Sequence, residues 1–252
     1  MMSMDKSIYK IDHTSIVPLY QQIKENLRET IESEALSPED PLPSERELSR
    51  IYEVNRMTVR RAIGSLIQEG LLQHVEGIGV FLARPKVVQV FPTVVGFSER
   101  MRAGGHVTLN RVLSHSAEVA RPSVARRLRI PEGAQVLRLV RLRIVDNEPL
   151  MIETSYVPLE RFPDLLGDDF AVRSLYDVLS GRYGIHILEL DQTLEPVLLT
   201  DYEAELLEST PGSPAMLMEV IALAAEDDPF EFSKAIVRGD KCQYYFRMRS
   251  PQ

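Results

Sequence analysis

Between Pro18 and Leu82 the chain runs helix, proline-rich break, capped helix, tight turn, arginine-bearing helix, glycine and hairpin, and this order narrows the possible folds more than anything else in its 252 residues. Leu19, Ile23, Leu27 and Ile31 recur every four residues behind Pro18, the spacing of a helix packed on one face. The segment ALSPEDPLP ends it, because proline removes a backbone donor and clashes with the preceding turn. Ser44 and Glu47 form an S-x-x-E capping box that opens a second helix, predicted to bury Leu48 and Ile51. A short turn through Glu53 and Val54 leads to Asn55, a good N-cap, and to a third helix running to about Glu69 and closed by Gly70.

At 100° per residue the third helix places Val59, Ala62, Ile63, Leu66 and Ile67 on one side and Met57, Arg61 and Gly64 on the other, with Arg56 and Arg60 on the flank. After Gly70 the runs LLQH and VFLA, joined by VEGIG, read as a two-stranded hairpin. An S-x-x-E cap or an arginine-rich helix taken alone is more commonly an ordinary surface feature. Two helices, a tight turn and a hairpin in this sequence make a winged helix-turn-helix, whose second helix enters a DNA groove.

Charge agrees only locally. The net charge of −8 argues against a protein that coats nucleic acid without specificity, since phosphate affinity comes from Lys and Arg. Residues 1–86 carry a balance of −2, yet from 46 to 61 Arg46, Arg50, Arg56, Arg60 and Arg61 face only Glu47 and Glu53. No apolar run is long enough to cross a bilayer and the first residues lack an apolar signal core, so a cytoplasmic location and no membrane partner are expected. Cys242 is the single cysteine, which excludes an internal disulfide. The five histidines lack metal-ligand spacing, so no metal and no cofactor are expected.

A domain boundary is expected in an extended, proline-bearing linker, residues 84–94, between a first domain at 8–83 and a second at 95–250. The second reads as a short helix at FSERMRAGG, a strand from Leu109 to His115, a helix from Ser123, and the strong strand QVLRLVRLRIV. The turn DNEP and the strand LMIETSYVP follow, then helices at SLYDVLSGRYG and TDYEAELLES, and strands AMLMEVIALA, FEFSKAIVR and QYYFRM. An antiparallel sheet with flanking helices, an α+β domain, fits this order. Arg141 and Arg143 alternate onto one face of their strand, and two neighbouring guanidiniums invite an anion. If Val145 opposes Met151, Arg143 lies opposite Glu153; an ordinary cross-strand ion pair is the equally simple reading.

The segments PLYQQIKENLRETI, PLPSERELSRIYEVNRMTVRRAIGSLIQEGLL and EGIGVFLARP resemble the DNA-binding domain of the GntR superfamily. FSERMRAGG, VRLRIV, EPLMIETSYVP, SLYDVL and FEFSKAIVRGDKCQYYF resemble UTRA, the effector-binding domain of the HutC branch, whose fold is that of chorismate lyase. The resemblance implies DNA contacts at Arg46, Asn55, Arg56, Thr58 and Arg60, with Gly77 letting the wing backbone approach the minor groove. Glu76 departs from the basic residue or His usual at that tip. It also implies an effector pocket lined by Phe97, Ser98, Arg141, Arg143, Glu153, Ser174, Tyr176 and Glu231. Arginines and serines suit a phosphate, and the two carboxylates suit hydroxyls or an amine, as in a sugar phosphate or amino-sugar phosphate.

The function expected is therefore that of a transcription regulator, a repressor by the family's usual mode. It would bind a palindromic double-stranded DNA operator as a homodimer and respond to a small anionic effector. Two alternatives belong to other classes. One is a chorismate-lyase-like enzyme acting on a small carboxylate or sugar phosphate, although no catalytic residues, G-x-S-x-G or phosphate-cradling G-x-x-x-x-G-K-[ST] can be named. The other is an interaction module whose helix-turn-helix serves dimerisation.

Overall fold

The computed structural model describes residues 10–33, 36, 41–91, 95–225 and 227–247. Most of the proline-rich break (35 and 37–40), the end of the expected linker (92–94) and the outer ends of both expected domains (8–9 and 248–250) lie outside the described residues. The chain divides into two compact units at Val87/Val88.

In the first unit, α1 (Leu19–Glu32), α2 (Glu45–Ile51) and α3 (Arg56–Gln68) precede the hairpin β1 (Leu72–Val75) and β2 (Gly79–Leu82). Both caps form as expected: Ser44 accepts from the Glu47 amide while Glu47 reaches back to the Ser44 amide, and Asn55 accepts from the Thr58 amide. Each such cap satisfies an otherwise orphaned helix donor and contributes about 1 kcal/mol. Ile23, Leu27, Leu48, Val59, Ala62, Leu66 and Leu72 form a shared core. Ile51 is 40% exposed, contrary to expectation. The short α2 ends there, and Tyr52, four residues after Leu48 and so on its face, takes the buried position instead. The Leu42 amide donates to the Val80 carbonyl at 2.7 Å, tying the wing to the segment that enters α2.

The expected linker is not structureless. Its residues Val87–Phe91 form β3, which pairs with the C-terminal strand β10 (Cys242–Phe246) in a separate two-stranded sheet. The remaining strands are β4 (Thr108–Val119), β5 (Gln135–Val145), β6 (Glu148–Pro158), β7 (Glu189–Leu198), β8 (Pro214–Leu223) and β9 (Pro229–Arg238). They make one antiparallel sheet in the order β4-β5-β6-β9-β8-β7. Helices α5 (Pro122–Leu128) and α7 (Asp201–Leu206) pack their apolar sides on one sheet face, against Phe232 and against Leu142 and Ala215. Helix α6 (Leu175–Tyr183) and the 3-10 turn Pro163–Gly167 cover the other face over Leu137, Leu139 and Val157. Helix α4 (Phe97–Ala103) lies on that same face, beside Arg143. This is the α+β architecture expected.

The β5–β6 register differs from expectation by two residues: Arg141 opposes Glu153, and Arg143 opposes Met151. Val145 pairs with Glu148 across a two-residue loop in which Asp146 (φ 50°) and Asn147 (φ 67°) are both left-handed, the conformation a tight hairpin needs and these residue types tolerate. A bulge at Leu150 then restores the parity of the faces, so both arginines still point to Glu153.

Candidate functional site

On the first unit the exposed surface of α2 and α3 carries Arg46, Arg56, Met57 and Arg60. Neither Arg46 nor Arg56 makes an ion pair or side-chain hydrogen bond among the described residues. Both guanidiniums are therefore available to phosphate or base acceptors. Asn55 and Thr58 are partly occupied: Asn55 Oδ1 accepts from the Thr58 amide at 3.0 Å and from its hydroxyl at 3.3 Å. Arg60 is not free, for its Nε and Nη2 donate to the two carboxylate oxygens of Glu45 at 2.8 and 2.7 Å. Arg61 lies back over the Tyr20 ring, 3.8 Å from its centroid, and so is tied to α1. At the wing tip Gly77 has φ 74°, and a Cβ there would meet no neighbouring atom; backbone conformation alone selects glycine. Glu76 and Ile78 beside it are exposed.

In the second unit β5 and β6 bring three charged side chains together inside the sheet. Arg141 is 1% exposed, Arg143 5% and Glu153 9%. One oxygen of Glu153 accepts from Arg141 Nη2 at 2.6 Å and from Arg143 Nε and Nη2 at 3.0 and 2.7 Å. Arg143 Nη1 continues to Asn110 Oδ1 of β4 at 2.8 Å and to the Ser98 hydroxyl of α4 at 3.3 Å. Its guanidinium also sits 5.1 Å from the Phe97 ring centroid. Every nitrogen of Arg143 is thus engaged. Arg141 differs: its Nε and Nη1 are buried and have no hydrogen-bond partner among the described residues. Leaving a buried donor unpaired costs about 1–3 kcal/mol, so native structures rarely do it without a reason.

Opposite this cluster the Tyr176 hydroxyl of α6 donates to Glu231 of β9 in a short hydrogen bond. Burial pushes the Glu231 carboxyl above its ordinary range, and the neighbouring negative charge of Glu153 pushes it the same way. Burial drives Glu153 up as well, but Arg143 and then Arg141 outweigh it and hold that carboxyl below the usual value. Burial, reinforced by Arg143, lowers Arg141 to about 10. Two carboxyls with opposite shifts therefore share one enclosure with two cations.

Seven of the eight residues expected in the pocket fall into these two connected groups: Phe97, Ser98, Arg141, Arg143 and Glu153 in one, Tyr176 and Glu231 in the other. Ser174 stands half-buried at the N-cap of α6, and its hydroxyl makes no capping bond. Three contributors escaped sequence reasoning. Asn110 comes from a strand whose pairing is set only in three dimensions. Gly96, at the N-cap of α4, lies so close to Tyr176 that a Cβ would stand 2.4 Å from Cδ2 of its ring. Glu45 reads in the sequence as an ordinary acidic residue in the first turn of a helix.

Comparison with known proteins places both units in known families. Residues 19–82 match the family described as bacterial regulatory proteins, gntR family, and residues 103–243 match the UTRA domain. The HTH-type transcriptional repressor NagR of Bacillus subtilis is 32% identical over 94% of this chain and 98% of its own length. A histidine utilization repressor of Pseudomonas aeruginosa is 31% identical over 80% of each chain. The crystal structure of PhnF from Mycobacterium smegmatis superposes with a TM-score of 0.64 at 27% identity, covering 90% of this chain and 99% of that one.

Proposed function

Because the chain belongs to the GntR family of bacterial regulatory proteins and carries a UTRA domain, it is a DNA-binding transcription regulator, and we propose that it is a homodimeric repressor released by a small anion bound at Arg141. Its relatives and both its domains are regulators rather than enzymes. The repressor role follows the printed names of NagR and the histidine utilization repressor. Arg46 and Arg56, unpaired among the described residues, are offered to DNA, with Asn55, Thr58 and Arg60 completing the recognition surface and Gly77 bringing the wing backbone to the minor groove. Two such surfaces in a two-fold dimer would read the halves of a palindromic operator.

The observation that carries the effector reading is the pair of unsatisfied donors on buried Arg141. A phosphate or carboxylate oxygen can accept from these donors, and because Nε and Nη1 lie on different edges of the guanidinium each would meet its own acceptor. Glu153 and Glu231 then face the remainder of the ligand. Glu231 with its Tyr176 partner suits a sugar hydroxyl, and ionised Glu153 suits a hydroxyl or an amine. This favours a sugar phosphate or amino-sugar phosphate over an aliphatic acid. Calorimetric titration of the full chain with glucosamine 6-phosphate, fructose 6-phosphate and their unphosphorylated parents tests it. Binding of at least one phosphorylated member and of neither parent is expected; equal binding of parent and phosphate excludes an anion at Arg141.

A further inference from the structure

The carboxylate of Glu45 is the unexpected member of the DNA-facing surface. It sits in the first turn of α2, while Arg60 sits in the second turn of α3, fifteen residues later. The contact is bidentate and side-on, engaging Nε and Nη2 of the guanidinium at 2.8 and 2.7 Å. Its first effect is to hold Glu45 below the usual carboxylate range through the Arg60 hydrogen bond, so the pair is ionised at neutral pH. Both side chains remain reachable by solvent, at 62% exposure for Arg60 and 32% for Glu45. An exposed pair of this kind adds little to stability, and α2 and α3 already share a core through Leu48, Val59 and Ala62. In a chain with net charge −8, a carboxylate beside the DNA surface also opposes binding.

The geometry points to Glu45 as a positioning residue that sets sequence specificity through Arg60. A guanidinium has five N–H donors in one plane. With the side-on edge given to Glu45, both Nη1 protons and the second Nη2 proton remain, and the end-on edge formed by Nη1 and Nη2 is the fork that pairs with guanine O6 and N7. Glu45 therefore fixes the plane and direction of that fork without blocking it. It also cancels the charge that would let Arg60 swing to any nearby phosphate. Sequence-independent attraction falls, while a guanine placed to meet the fork keeps both hydrogen bonds. Specificity rises because the wrong contact is weakened. The inference rests on α3 being the recognition helix, as proposed above.

The test compares the full-length wild type with Glu45→Gln, Arg60→Lys and Arg60→Ala. Each protein selects duplexes from one random-sequence library, and its affinity for an unselected duplex is then measured between 50 and 200 mM salt. Wild type should select a consensus containing a guanine that all three variants lose. Glu45→Gln alone should also bind the unselected duplex more tightly, because a freed Arg60 adds one phosphate contact. Each such contact steepens the salt slope by about 0.9, or roughly 3.5-fold in affinity across this salt range per recognition helix. A merely structural role for Glu45 would lower the melting temperature and move neither the consensus nor the slope. If Arg60→Ala changes the consensus and Glu45→Gln selects like wild type, the inference is wrong while α3 stands as the recognition helix. An unchanged consensus with Arg60→Ala removes both the inference and the assignment of Arg60 to base reading.

Discussion

Replacing Arg141 by methionine should make the protein more stable and deaf to its effector, whereas the same replacement two residues away at Arg143 should damage the fold. Arg141 is 1% exposed, and its buried Nε and Nη1 have no partners among the described residues. Its lowering from 12.5 to about 10 is a penalty on the charged form of about 3 kcal/mol at 1.36 kcal/mol per unit, with the attraction of Glu153 already included. Methionine removes that penalty and fills most of the volume. Imperfect packing gives back about 1 kcal/mol, for a net gain of about 1–2 kcal/mol. In a unit of this size that raises the melting temperature by roughly 2–8 °C. Glu153 keeps two hydrogen bonds from Arg143. A charge-assisted bond to an anion contributes about 1.5–3 kcal/mol, so effector affinity should fall by about one to two orders of magnitude. Arg143→Met instead strips Glu153, Asn110 and Ser98 of their shared donor and should destabilise by about 3–5 kcal/mol, as breaking a buried ion pair does. Scanning calorimetry of the three proteins, with and without glucosamine 6-phosphate, reads both effects. A melting temperature for Arg141→Met below that of wild type, or an undiminished ligand shift, refutes the separation of roles between the two arginines.

Two further substitutions follow from the same enclosure. The folded state holds the proton of Glu231 to higher pH than the unfolded chain does, so this carboxyl's contribution to stability is full below its unfolded value near 4.5 and is lost as pH rises through the folded value. Glu231→Gln, which still accepts from Tyr176, should therefore gain stability over wild type progressively as pH rises above about 4.5 in urea unfolding; a pH-independent difference contradicts the shift. Gly96→Ala forces its methyl into the Tyr176 ring and should cost about 1–3 kcal/mol in denaturant melts while weakening the ligand-induced thermal shift; unchanged values show that α4 does not brace Tyr176.

What could be read from sequence was what local rules decide. The Ser44 cap, the Asn55 cap and the apolar side of α3 depend on residues three or four apart, and they stand as expected except where Tyr52 displaces Ile51. The shared face of Arg141, Arg143 and Glu153 survived a two-residue error in register, because alternation fixes faces while turn geometry fixes register. The strand β3 was hidden because a run flanked by prolines reads as extended whether or not a partner waits at the far end of the chain, as Cys242–Phe246 does. The contacts of Glu45 with Arg60, Asn110 with Arg143 and Gly96 with Tyr176 span 15, 33 and 80 positions and arise from packing, which no periodicity announces.

Regulation itself is tested most directly by measuring the affinity of a phosphorylated sugar for the free protein and for the same protein saturated with its selected operator. Linkage requires that an effector which releases DNA be bound less tightly by the complex, by the same factor with which it weakens the operator. Effector affinity about 5- to 150-fold lower in the complex is the result predicted, with Arg141→Met weakening binding in both states. Equal affinity for the free and operator-bound protein would contradict the account, because occupancy of the Arg141 pocket would then carry no message to the DNA.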